Sequence, residues 1–329
     1  MAARAEGRTA WLEPLRRVAR RVLRRDVAAQ VWFQPQDIDR LRDLFYGTLS
    51  GQGEAWTPYR DAHLVLPDWF EPGLDPWGDA YREQQLRLWQ LLAGVDRPYD
   101  PAVDEMEAPW GDGDVVRSPG YYMRRDPGAL VHASDHWLGT GMLLKHAGVK
   151  PGERALEYGA GFGQTALAMA RLGVRVDTVD ISTTFCAAIQ KQAEFYGVPL
   201  QPHQGRFGFH PPHGEPYQLI WFYESFHHCL DFQTLVPQLR RMLAPGGRIV
   251  LAGEPILQSE YAAIPYPWGL RLHSETVAVV RQTHWMELGF TEAFIMELFQ
   301  RNGFVGRRID CEPSVFGKLV VFELEGCPA

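Results

Sequence analysis

The sequence predicts an α/β protein built on a doubly wound parallel sheet. Three observations predict it. From about residue 119 onward, short apolar runs alternate with segments of helical periodicity. The first run, Ala155–Tyr158, opens into a turn with glycine at 159, 161 and 163. The second, Arg175–Val179, ends at Asp180, about twenty residues on, where nucleoside-binding α/β folds set a carboxylate against the ribose.

The elements follow in order. Residues 8–33 read as a helix, with Trp11, Leu12, Leu15, Val18, Val22 and Leu23 at helical spacing and arginines on the remaining faces. Such a helix either touches an acidic partner, a membrane surface or a polyanion, or packs its stripe on its own domain. Helices are predicted at Gln36–Leu49 and Trp77–Leu92. The Pro- and Trp-rich stretch between them is ordered loop, because its aromatics need burial. Residues 101–118 are the best boundary, so 1–115 is expected as a mostly helical cap domain and 116–329 as a nucleoside-binding domain.

Within the second part, helices are expected at His132–Ala147, Gly163–Leu172, Ser182–Tyr196 and Thr291–Asn302. Strands are expected at Ala155–Tyr158, Arg175–Val179, Pro199–Gln204, Gln218–Tyr223 and Arg248–Gly253. Val305–Cys311 and Lys318–Glu323 should close the sheet as a hairpin, for seven strands. Residues 254–290 form an insertion after the fifth strand, rich in Trp, Tyr and Arg, placed to act as a lid over the carboxyl edge. Its aromatics either stack on an acceptor or fix the lid in place.

The glycine turn selects the ligand. The dinucleotide fingerprint is G-x-G-x-x-G, whereas here Glu157, Gly159, Gly161 and Gly163 alternate with other residues. Alternating glycines let the backbone pass close beneath a ligand. A carboxylate there is the wrong sign for a pyrophosphate and suits an ammonium and a sulfonium. S-adenosylmethionine meets these demands better than a nicotinamide dinucleotide.

At this point the chain resembles the class I S-adenosylmethionine-dependent methyltransferases. The matching pieces are Leu156–Gly163, Val179–Ile181, Tyr217–Asp231 with its His-His-x-x-Asp tail, and Leu239–Leu251 with its Pro-Gly-Gly. Gln218 stands where that family usually has Asp. The resemblance implies cofactor contacts from Glu157, Gly159, Ala160, Gly161, Gly163, Asp180 and Ile181. It further implies Arg206 and Phe207 beside the adenine, Tyr223 beside the methionine moiety, and Tyr122 with Tyr121 closing over it.

Composition excludes several classes. Hydrophobic residues make up 46% and aromatics 12%, enough for a packed core rather than general disorder. Net charge is −7, which disfavours nucleic acid as the partner. Four cysteines without paired spacing argue against a disulfide framework or zinc knuckle and fit a reducing cytoplasm. No apolar run reaches the roughly 20 residues of a membrane span.

Methyl transfer needs an in-line nucleophile and, for a hydroxyl, a base. The candidates are Glu224, His227 and His228 after the fourth strand, with Glu254 at the end of the fifth. On a helical turn, i, i+3 and i+4 share a face, which would bring Glu224, His227 and His228 together. A His beside a carboxylate is a competent base near neutrality. The same three also resemble the Glu-x-x-Glu-His that binds a divalent metal in small-RNA 2′-O-methyltransferases and ubiquinone-pathway O-methyltransferases. A His replaces the second Glu here. Three readings therefore stand: base, metal site, and structural histidines. The expected acceptor is a small molecule or glycan, methylated on a hydroxyl. The alternatives are RNA, met through the Arg-rich helix, N-methylation, and a module that binds the cofactor without turnover.

Overall fold

The computed structural model describes residues 31–47, 54–105, 114–310 and 318–325. The Arg-rich stretch over 8–30 lies outside them.

Seven strands form one mixed sheet. In chain order they are β3 (Arg154–Tyr158), β4 (Arg175–Asp180), β5 (Leu200–Gln204), β6 (Tyr217–Tyr223), β7 (Leu243–Ala252), β11 (Phe304–Ile309) and β12 (Leu319–Leu324). Their spatial order is β11-β12-β7-β6-β3-β4-β5. Strands β7, β6, β3, β4 and β5 run parallel, and β12 pairs antiparallel with both β7 and β11. The expected closing hairpin is thus observed. Strand β7 begins earlier than expected and takes in Pro245–Gly247, with an irregular register against β6 between Tyr217 and Leu219.

Alternation along the strands divides the core. Leu156, Tyr158, Ile220, Phe222, Ile249 and Leu251 face one hydrophobic cluster, and Ala155, Leu219, Trp221, Val250 and Ala252 face the other. This is the period of two expected for strands buried on both faces. Helices α4 (Ala129–His146), α5 (Gln164–Arg171) and α6 (Thr183–Tyr196) contribute to the second cluster. The first contains α7 (Phe232–Met242), α9 (Glu292–Gln300) and most of the N-terminal apolar residues.

The N-terminal elements are β1 (Trp32–Phe33), α1 (Ile38–Gly47), β2 (His63–Leu64), α2 (Asp79–Ala93) and the short α3 (Pro101–Asp104). The periodicity had carried a helix through residue 33, but Trp32 and Phe33 pair in parallel with His63 and Leu64. Pro35 explains the difference, because the residue before a proline is driven to extended backbone, and Gln34 sits at φ −96°, ψ 159°.

Residues 254–290 carry structure of their own: β8 (Ile256–Leu257), β9 (Trp268–Leu270), α8 (Ser274–Thr283) and β10 (Leu288–Thr291), with the strands in the order β8-β10-β9. Both α1 and α2 pack on α8. Tyr266, Trp268 and Phe290 are fully buried. The Tyr81 hydroxyl donates to the Trp268 carbonyl at 2.5 Å, and the Trp89 indole donates to the His284 carbonyl at 2.9 Å. The N-terminal helices and the post-β7 segment therefore share one core over one end of the sheet. Among the described residues no helix is long and apolar enough to cross a membrane.

Candidate active site

A cleft opens at the carboxyl ends of β3, β4 and β6, where ligands bind in open α/β sheets. Its floor is Gly159 and Gly161 from the turn after β3. Asp180 and Ile181 come from the end of β4, Arg206 and Phe207 from the segment after β5, and Glu224, Ser225 and His228 from the turn after β6. Two further residues close it, Glu105 from just beyond α3 and Trp285 from the loop before β10.

The turn demands its glycines for two reasons. Gly159 has φ +65°, and a Cβ there would sit 2.6 Å from the Ser225 Cβ. Gly161 has φ +53° with no protein atom within 4 Å of an added Cβ, so a side chain would stand in the cleft itself. Asp180 is buried and structured by the same turn: Gly161 N–H donates to Oδ2 at 2.9 Å, and Ser182 N–H donates to Oδ1 at 2.9 Å. A carboxylate has acceptor sites beyond these two. The open glycine floor, the fixed carboxylate and the flanking Phe207 fit a nucleoside.

Five residues expected at the cofactor are absent from the cleft wall: Glu157, Ala160, Gly163, Tyr122 and Tyr223. Strand alternation explains Glu157, which shares the face of Ala155. Its Oε1 accepts from Thr165 Oγ1 and from Trp221 Nε1 (2.9 Å), beneath α5. Its other oxygen makes no hydrogen bond of good geometry among the described residues. Burial pushes its carboxyl up to about 8. A folded value above the unfolded 4.5 means that stability falls as pH rises from about 4.5 to about 8. Glu157→Gln should flatten this part of the curve in thermal melts across that window; an unchanged slope would show that the group ionises freely in the fold.

Tyr223 and Tyr121 flank the cleft through His136. The His136 Nδ1 lies 3.3 Å from the Tyr223 hydroxyl and 3.6 Å from Glu224 Oε2, and Tyr121 stacks on its ring at 5.2 Å. His132 Nε2 is 3.2 Å from His136 Nε2. Burial, then His132, hold the His136 imidazole down at about 4, so it is neutral.

The four acid-base candidates separate. His228 and Glu224 line the cleft; His227 and Glu254 lie behind it, both buried. Glu254 accepts from the backbone N–H of Ser225 (2.8 Å), Phe226 (2.8 Å) and His227 (3.1 Å), and from His227 Nδ1 at 2.7 Å. It thereby caps the short 3-10 turn Phe226–His228. Burial opposes its charge, but His227 and the backbone donors hold its carboxyl below the usual value. Burial, then His228, hold His227 down at about 4. The pair is therefore a neutral imidazole donating to an ionised carboxylate.

The expected trio Glu224, His227 and His228 is not a ligand set. Glu224 has φ +51° and precedes the turn, so it does not share a helical face with the histidines. The group whose ligand atoms do converge is His227, His228 and Glu287. Arg271 donates to the Glu287 carboxylate through Nη2, and that guanidinium opposes a second cation on the same oxygen.

Glu105 and Trp285 were not among the expected residues. Glu105 Oε2 lies 3.1 Å from His228 Nδ1, an ion-pair distance off the line of a hydrogen bond. Its Oε1 accepts from the Tyr99 hydroxyl at 2.7 Å and from Met286 N–H at 2.6 Å. Glu105 thus joins the N-terminal segment, the post-β7 segment and the β6 turn. A Glu at the end of a Pro-initiated turn carries no local mark of this role.

Comparison with known proteins agrees with this geometry. Residues 155–247 match the family model of a methyltransferase domain. The chain is 28% identical to ribosomal protein L11 methyltransferase of Thermus thermophilus, over 65% of this chain and 80% of that protein. It is 26% identical to 27-O-demethylrifamycin SV methyltransferase of Amycolatopsis mediterranei, over 56% of this chain and 65% of that protein. Among solved structures, 1,6-didemethyltoxoflavin-N1-methyltransferase of Burkholderia thailandensis, with S-adenosylhomocysteine bound, is 19% identical. That match covers 70% of this chain and 93% of the other, with a TM-score of 0.44. Residues 155–247 are thus a methyltransferase domain, and the curated relatives named are methyltransferases.

Proposed function

We propose that the protein methylates a hydroxyl of a small-molecule or glycan acceptor, with His228 as base and Glu105 as its orienting carboxylate. The observation that carries this reading is His228, standing in the same cleft wall as Gly161 and Asp180 with a carboxylate 3.1 Å from its Nδ1. When bound, S-adenosylmethionine supplies a methyl group already activated by its sulfonium. The residues fitted to hold it are Asp180 at the ribose hydroxyls, Ile181, Arg206 and Phe207 around the base, and Gly159 and Gly161 beneath it. A carboxylate 3.1 Å from Nδ1 stabilises the positive charge that forms on the ring when Nε2 takes a proton. Residues up to 115 serve as cap and 254–290 as lid over the acceptor end, a division supported by Glu105 and Trp285 closing the cleft. Fixing the nucleophile in line behind such a cover contributes about 7–11 kcal/mol in favourable cases.

The test is labelled methyl transfer into an extract of the source cell, separated into small molecules, glycans, RNA and protein. Label in the first two fractions is expected; label confined to RNA or protein would refute the acceptor class. Two further outcomes follow. Asp180→Ala should weaken S-adenosylhomocysteine binding by about 1.5–3 kcal/mol, the scale of hydrogen bonds to a charged group. Calorimetry on the folded variant measures this, and wild-type affinity would overturn the ribose assignment. Prior treatment with a strong chelator should leave labelling unchanged, because the histidines act here without a metal. Loss of label restored by a divalent cation would reinstate the metal reading.

A further inference from the structure

Around the acceptor end of the cleft the carboxylates of Glu105, Glu254 and Glu287 accept hydrogen bonds from donors within the protein. Glu105 has three donors or ionic contacts, as above. Arg271 donates to Glu287 through Nη2 and reaches Glu224 only as a nearby charge. Glu224 differs. Among the described residues no hydrogen-bond donor reaches its carboxylate, and its contact at ion-pair distance is His136 Nδ1 at 3.6 Å, on an imidazole that is neutral. The side chain is partly buried and keeps 30% of its surface open, on the wall of the cleft. Its backbone is held at φ +51°, a region that non-glycine residues rarely adopt. The Glu224 N–H is fixed to the Ala252 carbonyl at 2.9 Å. A carboxylate left without donors beside a ligand cleft is satisfied by donors on the ligand.

We propose that Glu224 recognises a protonated amine on the acceptor, close to the hydroxyl that is methylated, so that the acceptor is an amino alcohol or amino sugar. This deepens the hydroxyl reading and rests on it. Charge around the site favours a cation: Glu105, Glu224, Glu254 and Glu287 surround one arginine and two histidines, of which His227 is neutral. Burial, and then Glu254, push the Glu224 carboxyl up to about 8 in the absence of such a partner; an ammonium relieves both effects. A protonated amine has no lone pair and is not itself a nucleophile. It anchors the acceptor while a neighbouring hydroxyl, next to His228, reacts.

The test uses the full chain saturated with S-adenosylhomocysteine, which lacks the transferable methyl and the sulfonium charge. Glucosamine is titrated against glucose, and ethanolamine against ethylene glycol, by calorimetry. Each amine is expected to bind at least about tenfold more tightly than its neutral counterpart, the scale of a charge-assisted hydrogen bond. Glu224→Gln should abolish that preference while leaving S-adenosylhomocysteine affinity unchanged. Equal binding of amine and neutral probe to wild type, or no binding of either, overturns the proposal without any variant. So does a preference that survives Glu224→Gln. A Glu224→Gln protein that loses S-adenosylhomocysteine affinity also overturns it, because the carboxylate then serves the amino group of the cofactor. Failure of wild type to bind S-adenosylhomocysteine at all is a separate result, and it refutes the methyltransferase reading itself.

Discussion

Glu254→Ala is expected to lower the unfolding free energy by about 3–5 kcal/mol, because several buried donors lose their charged acceptor at about 1–3 kcal/mol each, partly offset by relaxation. The side chain is buried and accepts four hydrogen bonds, three from consecutive backbone N–H groups and one from His227. Alanine leaves those three backbone donors and the Nδ1 of a buried imidazole without their acceptor. Glu254→Gln should be milder, because one amide oxygen still accepts while the NH₂ group faces backbone donors. Denaturant unfolding measures both: the midpoint should fall with little change in slope. The pH dependence has a definite sign. The folded carboxyl is held below its usual value of 4.5, so its contribution is complete above that pH and is lost as pH falls through the folded value. In the alanine variant this part of the acid transition should be missing. A fully stable Glu254→Ala protein would show that the β6 turn holds itself.

The same turn shows what the amino-acid sequence makes legible. The positions of β3 and β4 followed from apolar runs and glycines, because a strand buried on both faces needs an unbroken run and a tight approach to Ser225 needs a missing Cβ. Asp180 was legible for the same reason: its distance from the glycine turn is set by one strand-helix-strand unit. Glu157 shows the limit of proximity in sequence. It precedes the turn by two residues, yet the alternation that buries Ala155 also buries Glu157, under Thr165 and Trp221. Alternation outranks closeness along the chain, and applying it would have placed the residue correctly.

The acid-base residues were legible in kind but not in arrangement. Helical spacing groups Glu224, His227 and His228 only if the turn is already helical at Glu224. In the structure the 3-10 turn starts at Phe226, and Glu224 takes a positive φ. That single change of backbone sends Glu224 toward His136 and leaves Glu254 to bind His227. Glu105 was not legible at all. It reaches His228 because helices α1 and α2 pack on α8, a contact between distant segments that no local pattern encodes.

His228→Ala is expected to slow methyl transfer by about 10²–10⁴-fold, the usual contribution of a positioned base, with S-adenosylhomocysteine affinity retained. The rate is read as label entering whichever acceptor fraction the wild type labels. Glu105→Gln should also slow the reaction, but through His228: the amide no longer supports the charge that forms on the ring. The double variant separates this from loss of cleft closure. If Glu105 acts only by positioning His228, His228→Ala with Glu105→Gln should be no slower than His228→Ala alone, since residues working as a unit are not additive. If Glu105 instead serves to tie Tyr99 and Met286 together, the two losses multiply, and KM for the acceptor rises in Glu105→Gln with or without the histidine. A His228→Ala protein at wild-type rate would remove the base assignment and leave catalysis to alignment of the acceptor within the cleft.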